Sequence, residues 1–135
     1  MTSAGYSGTP LHRKLGIKHD SRVLIVAAPP DFTVADLPPD AVVHTRAVRP
    51  SYDIVLAFCP DRARLEKRFT ALADRLTTAG ALWVAWPKRA SGVTTDLGEN
   101  VVREVGLAGG LVDVKVIAVD EVWSALKFVR RLRDR

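Results

Sequence analysis

The chain is poor in the residue types that staple or catalyse. One cysteine, Cys59, occurs in 135 residues, so no internal disulfide can form. That usage fits a reducing compartment, and a cytoplasmic location is expected. The three histidines, His12, His19 and His44, are scattered, and no Cys, His or carboxylate spacing matches a metal site. No Ser-His-Asp set can be assembled with any specificity, and Cys59 has no histidine close in sequence to act as its base. The longest apolar runs, residues 23–30 and 80–87, are too short to span a bilayer, so no membrane partner is expected. Residues 1–10 are small and polar and contain no apolar leader.

Hydrophobic residues make up 47% of the chain, enough for a single domain of this length to bury about two-thirds of its unfolded surface. The expected layout is a flexible lead-in over 1–9, one domain over 10–130 and a basic tail over 131–135. The net charge is +5, and Lys127, Arg130, Arg131, Arg133 and Arg135 crowd the last nine residues against Asp134. Such an end attracts phosphate backbones or acidic partners, or simply keeps the chain soluble. No nucleic-acid motif accompanies it, so nucleic acid ranks below an acidic small molecule or protein as the expected partner.

In chain order, Thr9 as N-cap with Pro10 behind it opens a short helix that Gly16 ends. Residues 22–28 form a β-branched run, the pattern of a strand buried on both faces. Nucleotide-binding sheets place a glycine-rich turn after such a strand, and this chain has Pro29-Pro30-Asp31-Phe32. Two prolines remove two donors, and no glycine supplies a positive φ. A second short strand, 41–47, carries Thr45-Arg46-Ala47 at its end, where a ribose-binding site would carry a carboxylate. A third strand, 54–58, leads to Asp61, the N-cap of a helix over 62–77. Leu65, Phe69, Leu72, Ala73 and Leu76 form the apolar face of that helix.

Gly80 then opens a central strand ending at Pro87. After a loop over 88–95, Asp96 with Glu99 makes a capping-box-like start to a helix through about Leu107. Its buried face is expected to be Val101, Val105 and Ala108, and Gly109-Gly110 close it. A strand over 112–119 and a last one over 123–129 follow. The turn between them is too short for a parallel crossover, so they run antiparallel.

This order resembles the second half of class I methyltransferases. The helix, Gly80, apolar strand and Pro87-Lys88 order, and residues 119–129, sharpen the likeness, while Ala85-Trp86-Pro87-Lys88 with Ser91-Gly92-Val93 carries a more specific one. From Tyr6 to Phe128 the chain is similar to a small bacterial domain-of-unknown-function family with such a core. The resemblance implies an α/β, Rossmann-like three-layer domain with a mostly parallel sheet of about six strands and an antiparallel C-terminal strand. It supplies no catalytic residues. With the glycine turn and the ribose carboxylate both missing, no S-adenosylmethionine and no other cofactor is expected.

Open α/β sheets take ligands beyond the carboxyl ends of their strands. There Lys88, Arg89, Ser91 and Gly92 form either an anion site or a plain surface loop. Asp120 and Glu121 belong to the same edge and face the cations either as acid/base machinery or as a rim salt bridge. Trp86 and Trp123 either close over a planar ligand or pack the rim. Residues 6–10 either cap the first helix or fold over the cleft as a lid. The leading expectation is a non-catalytic binding or regulatory protein for an acidic small molecule or protein partner. The rivals are an enzyme acting on a small anionic metabolite, using Asp120 and Glu121 against Lys88, and nucleic-acid association through the C-terminus. Oligomeric state stays open.

Overall fold

Both faces of the central strand are buried, and that decides the architecture. The computed structural model describes residues 8–135. Strands β1 (Arg22–Val26), β2 (Val42–His44), β3 (Tyr52–Phe58), β4 (Leu76–Pro87), β5 (Leu111–Ala118) and β6 (Trp123–Arg130) form one sheet in the order β2-β1-β3-β4-β6-β5. The pairs β1–β2, β1–β3 and β3–β4 are parallel, while β6 runs antiparallel to both β4 and β5. The expected six-stranded, mostly parallel sheet with an antiparallel C-terminal strand is therefore present. Among the described residues no helix is long and apolar enough to cross a membrane.

Side chains along β4 alternate between two cores. Leu82, Val84 and Trp86 join Val55, Leu126 and Phe128 under helices α2 (Arg62–Asp74) and α3 (Glu99–Ala108). Ala81, Trp83 and Ala85 join Val23, Ile25, Leu56 and Phe58 on the other face. That second face has little helical cover. The five-residue helix α1 (Leu11–Leu15) and the loop carrying Phe32 and Val34 close it. Trp83 is fully buried there, and its indole Nε1 donates to the Leu15 carbonyl at 3.1 Å. The connections over 27–41 and 45–51 contain no helix.

Several boundaries differ from expectation for identifiable reasons. Pro10, not Thr9, holds the N-cap of α1, and no side chain caps it, whereas Gly16 ends it at φ 82° as expected. The first strand stops at Val26 because Ala27 turns to φ 59°. Asp61 caps α2 by accepting from the Arg64 amide at 2.9 Å, but the helix ends at Asp74. Leu76 leaves it to pair with Tyr52 in the sheet. Gly80 lies inside β4 where the register against β3 shifts, and a Cβ there would press on the Asp53 and Thr77 carbonyl oxygens at 3.1 Å.

Gly98 is the N-cap of α3, and the expected capping box does not form. The Asp96 carboxylate instead accepts from the Arg62 amide at 2.8 Å, tying the starts of the two helices together. The buried face of α3 is Val102, Val105 and Gly106. Val101 is only partly buried, and Ala108 is exposed.

Candidate functional site

Strands β1, β2, β3, β4 and β5 all end on one edge of the sheet, so five connections converge there. The loops after β4 and between β5 and β6 are joined by a backbone bond from the Lys88 amide to the Val122 carbonyl, 2.8 Å. This junction separates two clefts, one on each face. The residues anticipated as one site divide between them.

The cleft on the α3 face, about 540 Å³, is bounded by Trp86, Lys88, Arg89, Gly92, Thr94 and Gly98. The chain leaves β4 in a short 3₁₀ turn, Arg89–Ser91, and Gly92 closes it at φ 77°, a conformation that suits glycine. Ser91 is not part of the cleft wall. Its hydroxyl donates to the Lys88 carbonyl at 2.6 Å and accepts from the Val93 amide at 3.2 Å, so it shapes the loop. Lys88 is half-buried and Arg89 exposed. Gly98 and Glu99, at the N-terminus of α3 that no side chain caps, also border the cleft, so the positive end of the helix dipole lies beside it. The Glu99 carboxylate at this end bonds the Arg103 guanidinium at 2.6 Å.

The cleft on the α1 face is larger, about 590 Å³. It takes in Asp120 and Trp123 together with Leu11, Lys14, Asp31 and Phe32. At its base Phe32 and Trp123 both pack edge-on against the buried Phe58, at 4.9 Å and 5.0 Å. Asp120 Oδ1 accepts from the Val122 and Trp123 amides, both at 2.8 Å, and so fixes the turn. Glu121 is exposed and borders neither cleft. Of the stretch expected as a lid, Gly8, Thr9 and Pro10 border this cleft, while Tyr6 and Ser7 lie outside the described residues.

Two expectations need correction. No ion pair among the described residues joins Lys88 or Arg89 to Asp120 or Glu121, so neither a rim salt bridge nor an apposed acid/base pair forms. Trp86 packs into the α2–α3 core and Trp123 against the opposite one, so they cannot close on one ligand. His19, without any metal-like spacing in sequence, is brought between Asp20 at 2.9 Å and Asp40 at 3.2 Å. That trio is exposed and lies at the other edge of the sheet, each ring nitrogen already facing a carboxylate.

Cys59 is fully buried, and burial pushes its thiol pKa up against the smaller opposing pull of Arg68, so it stays protonated and unreactive. Sequence reading misses Phe32 as a floor residue. Its signal is a large apolar side chain directly after Pro-Pro-Asp in an otherwise polar loop.

No family model matches the chain, and no curated relative matches it either. Solved structures do. A DhpI complex with SAH superposes with a TM-score of 0.63 at 11% identity, covering 92% of this chain and 83% of that one. A TehB-like SAM-dependent methyltransferase from Corynebacterium glutamicum gives 0.57 at 11% identity, covering 95% and 91%. Magnesium protoporphyrin IX methyltransferase from Synechocystis, with bound SAH, gives 0.51 at 13% identity and 70% of this chain, which spans 52% of that protein's length. At these identities the likeness shows the fold, a methyltransferase-like core.

The residues in the corresponding loops do not fit S-adenosylmethionine. Pro29 and Pro30 have no amide to offer in the loop after β1, and the Phe32 amide is spent on the Pro29 carbonyl at 3.0 Å. The end of β2 carries no carboxylate. There the His44 ring meets the Tyr52 hydroxyl at 2.9 Å, and the same hydroxyl accepts from the Val48 and Arg49 amides.

Proposed function

We propose that the protein is a non-catalytic binding or regulatory protein on a methyltransferase-like core, and that it holds an acidic ligand in the cleft on the α3 face. One observation carries this reading. Lys88 and Arg89 border the same cleft as the uncapped N-terminus of α3, so two cations and the positive end of a helix dipole lie beside one space. Trp86 and Leu97 give that space an apolar back wall, both almost fully buried. The rival reading, an enzyme working with Asp120 and Glu121 against Lys88, has lost the apposition it needs, because Asp120 belongs to the other cleft.

A thermal-shift screen with pyrophosphate, citrate, nucleotides and S-adenosylmethionine tests the proposal. At a hundred times its dissociation constant a ligand adds about 2.7 kcal/mol and raises the midpoint visibly. A phosphate- or carboxylate-bearing ligand is expected to give such a shift, and Lys88→Ala with Arg89→Ala to weaken its binding tenfold or more. A shift by S-adenosylmethionine that survives both substitutions overturns the reading.

A further inference from the structure

The cleft on the α1 face carries a chemistry opposite to that of its neighbour. Phe32 and Trp123 floor it, both packed edge-on against the buried Phe58, and Leu11 and Val122 add apolar walls. Asp31 and Asp36 come from the loop after β1 and Asp120 from the turn after β5, and among the described residues that line the cleft Lys14 is the one cation. The protein as a whole has a net charge of +5, so three carboxylates against one lysine reverse its sign locally. Lys14 is also engaged, its Nζ donating to the Ala118 carbonyl at 3.4 Å.

The carboxylates differ in what occupies them. Asp120 commits Oδ1 to two backbone amides, and its Oδ2 makes no hydrogen bond among the described residues. Asp31 and Asp36 are exposed, and neither is ion-paired among the described residues. A volume near 590 Å³ is within the range that holds a small organic molecule.

We propose that this cleft binds a small organic amine, with its ammonium drawn to the rim that Asp31, Asp36 and Asp120 make acidic and its apolar body on Phe32 and Trp123. The aromatic floor attracts a cation through its ring faces as well as covering apolar carbon. An anion of the same shape meets three negative charges and is excluded. Selectivity therefore lies in the sign of the charge, and the apolar floor supplies affinity without choosing between them. The proposal is independent of the anion cleft, since the shared edge places Lys88 and Arg89 on the far side of β4 and β6.

The experiment is a tryptophan-fluorescence and calorimetric titration of the full chain with phenethylamine, tryptamine and isopentylamine. Each is compared with an acid of matched body, such as 3-phenylpropionate for phenethylamine. At least one amine is expected to bind, and its matched acid at least about tenfold more weakly, a difference of about 1.4 kcal/mol. Asp31→Asn with Asp36→Asn is expected to cut amine affinity about tenfold, while Lys88→Ala leaves it unchanged. Phe32→Leu, which keeps an apolar side chain but removes the ring, is expected to weaken the amine and leave the unfolding midpoint close to that of the parent. Failure of all three amines to bind overturns the proposal. So does equal binding of amine and acid, or undiminished binding in a folded Asp31/Asp36 double variant.

Discussion

Arg103 is the residue on which the outer end of the sheet is anchored. From α3 its Nε donates to Asp113 at 2.8 Å on β5, while Nη1 and Nη2 reach Asn100 and Glu99 on its own helix. The hydrogen bond from Arg103 holds the Asp113 carboxyl below its ordinary value of 3.8. A carboxylate lowered in this way stabilises the fold fully above that ordinary value, and the contribution disappears as pH falls through the lowered one. Asp113→Asn is thus expected to unfold at a lower urea concentration than the parent at pH 7, with the gap closing below about pH 4. The gap is expected to be small, since Glu99 and Asn100 keep Arg103 partnered. Urea midpoints measured from pH 7 to pH 2.5 check the sign. None of this is legible in sequence: Asp113 looks like any polar residue on a strand, and only the packing of α3 across β5 brings Arg103 to it. Asp61 is legible, because an N-cap acts on the amides immediately after it.

At the scale of elements, α3 touches the sheet where it has no side chain. A Cβ on Gly106 would collide with the edge of the Phe128 ring, which is fully buried and stands edge-on to Phe69 at 5.8 Å. Helix propensity favours alanine over glycine by about 1 kcal/mol, and overpacking costs about 1–3 kcal/mol. Because Phe128 is locked between α3 and Phe69, overpacking wins, and Gly106→Ala is expected to lower unfolding free energy by up to about 2 kcal/mol. Chemical denaturation of the single variant decides it, and a stabilised variant would mean that the helix can lift. The glycine explains why sequence pattern misplaces the face of α3: the periodicity of valines locates a helix, but the closest approach is made by the residue with least to show.

The strands are legible for a different reason. In β1, β3 and the second half of β4 both faces are buried, so these read as unbroken apolar runs. The side of the sheet that each loop residue serves is not legible, because it depends on register. Pro87 pairs with Trp123, which sends Trp123 to the face opposite Trp86, and no local pattern announces that pairing.

For the molecule as a whole, charge is arranged by face and by end. The C-terminal arginines are not simply a solvated run. Arg130 donates to the Ala73 and Leu76 carbonyls where α2 meets β4, and Arg131 donates to Leu107 at the end of α3. Residues Leu132–Asp134 form a short 3₁₀ turn, with Leu132 79% exposed. A chain ending at Arg130 is therefore expected to keep nearly all its thermal stability, since it retains the bonds to α2. It is expected to elute from heparin at lower salt because three arginines are gone. An unchanged elution position would assign the polyanion affinity to Lys88 and Arg89 or to another face.

The Lys88–Val122 backbone bond has a further consequence in thermodynamic terms. It makes one strand end the common wall of a cationic and an acidic cleft, so any displacement of that wall is felt on both sides. Whatever factor a guest in one cleft imposes on the dissociation constant of a guest in the other is returned in equal measure, by linkage. A titration of either ligand in the presence of the other therefore measures the coupling free energy across that shared wall.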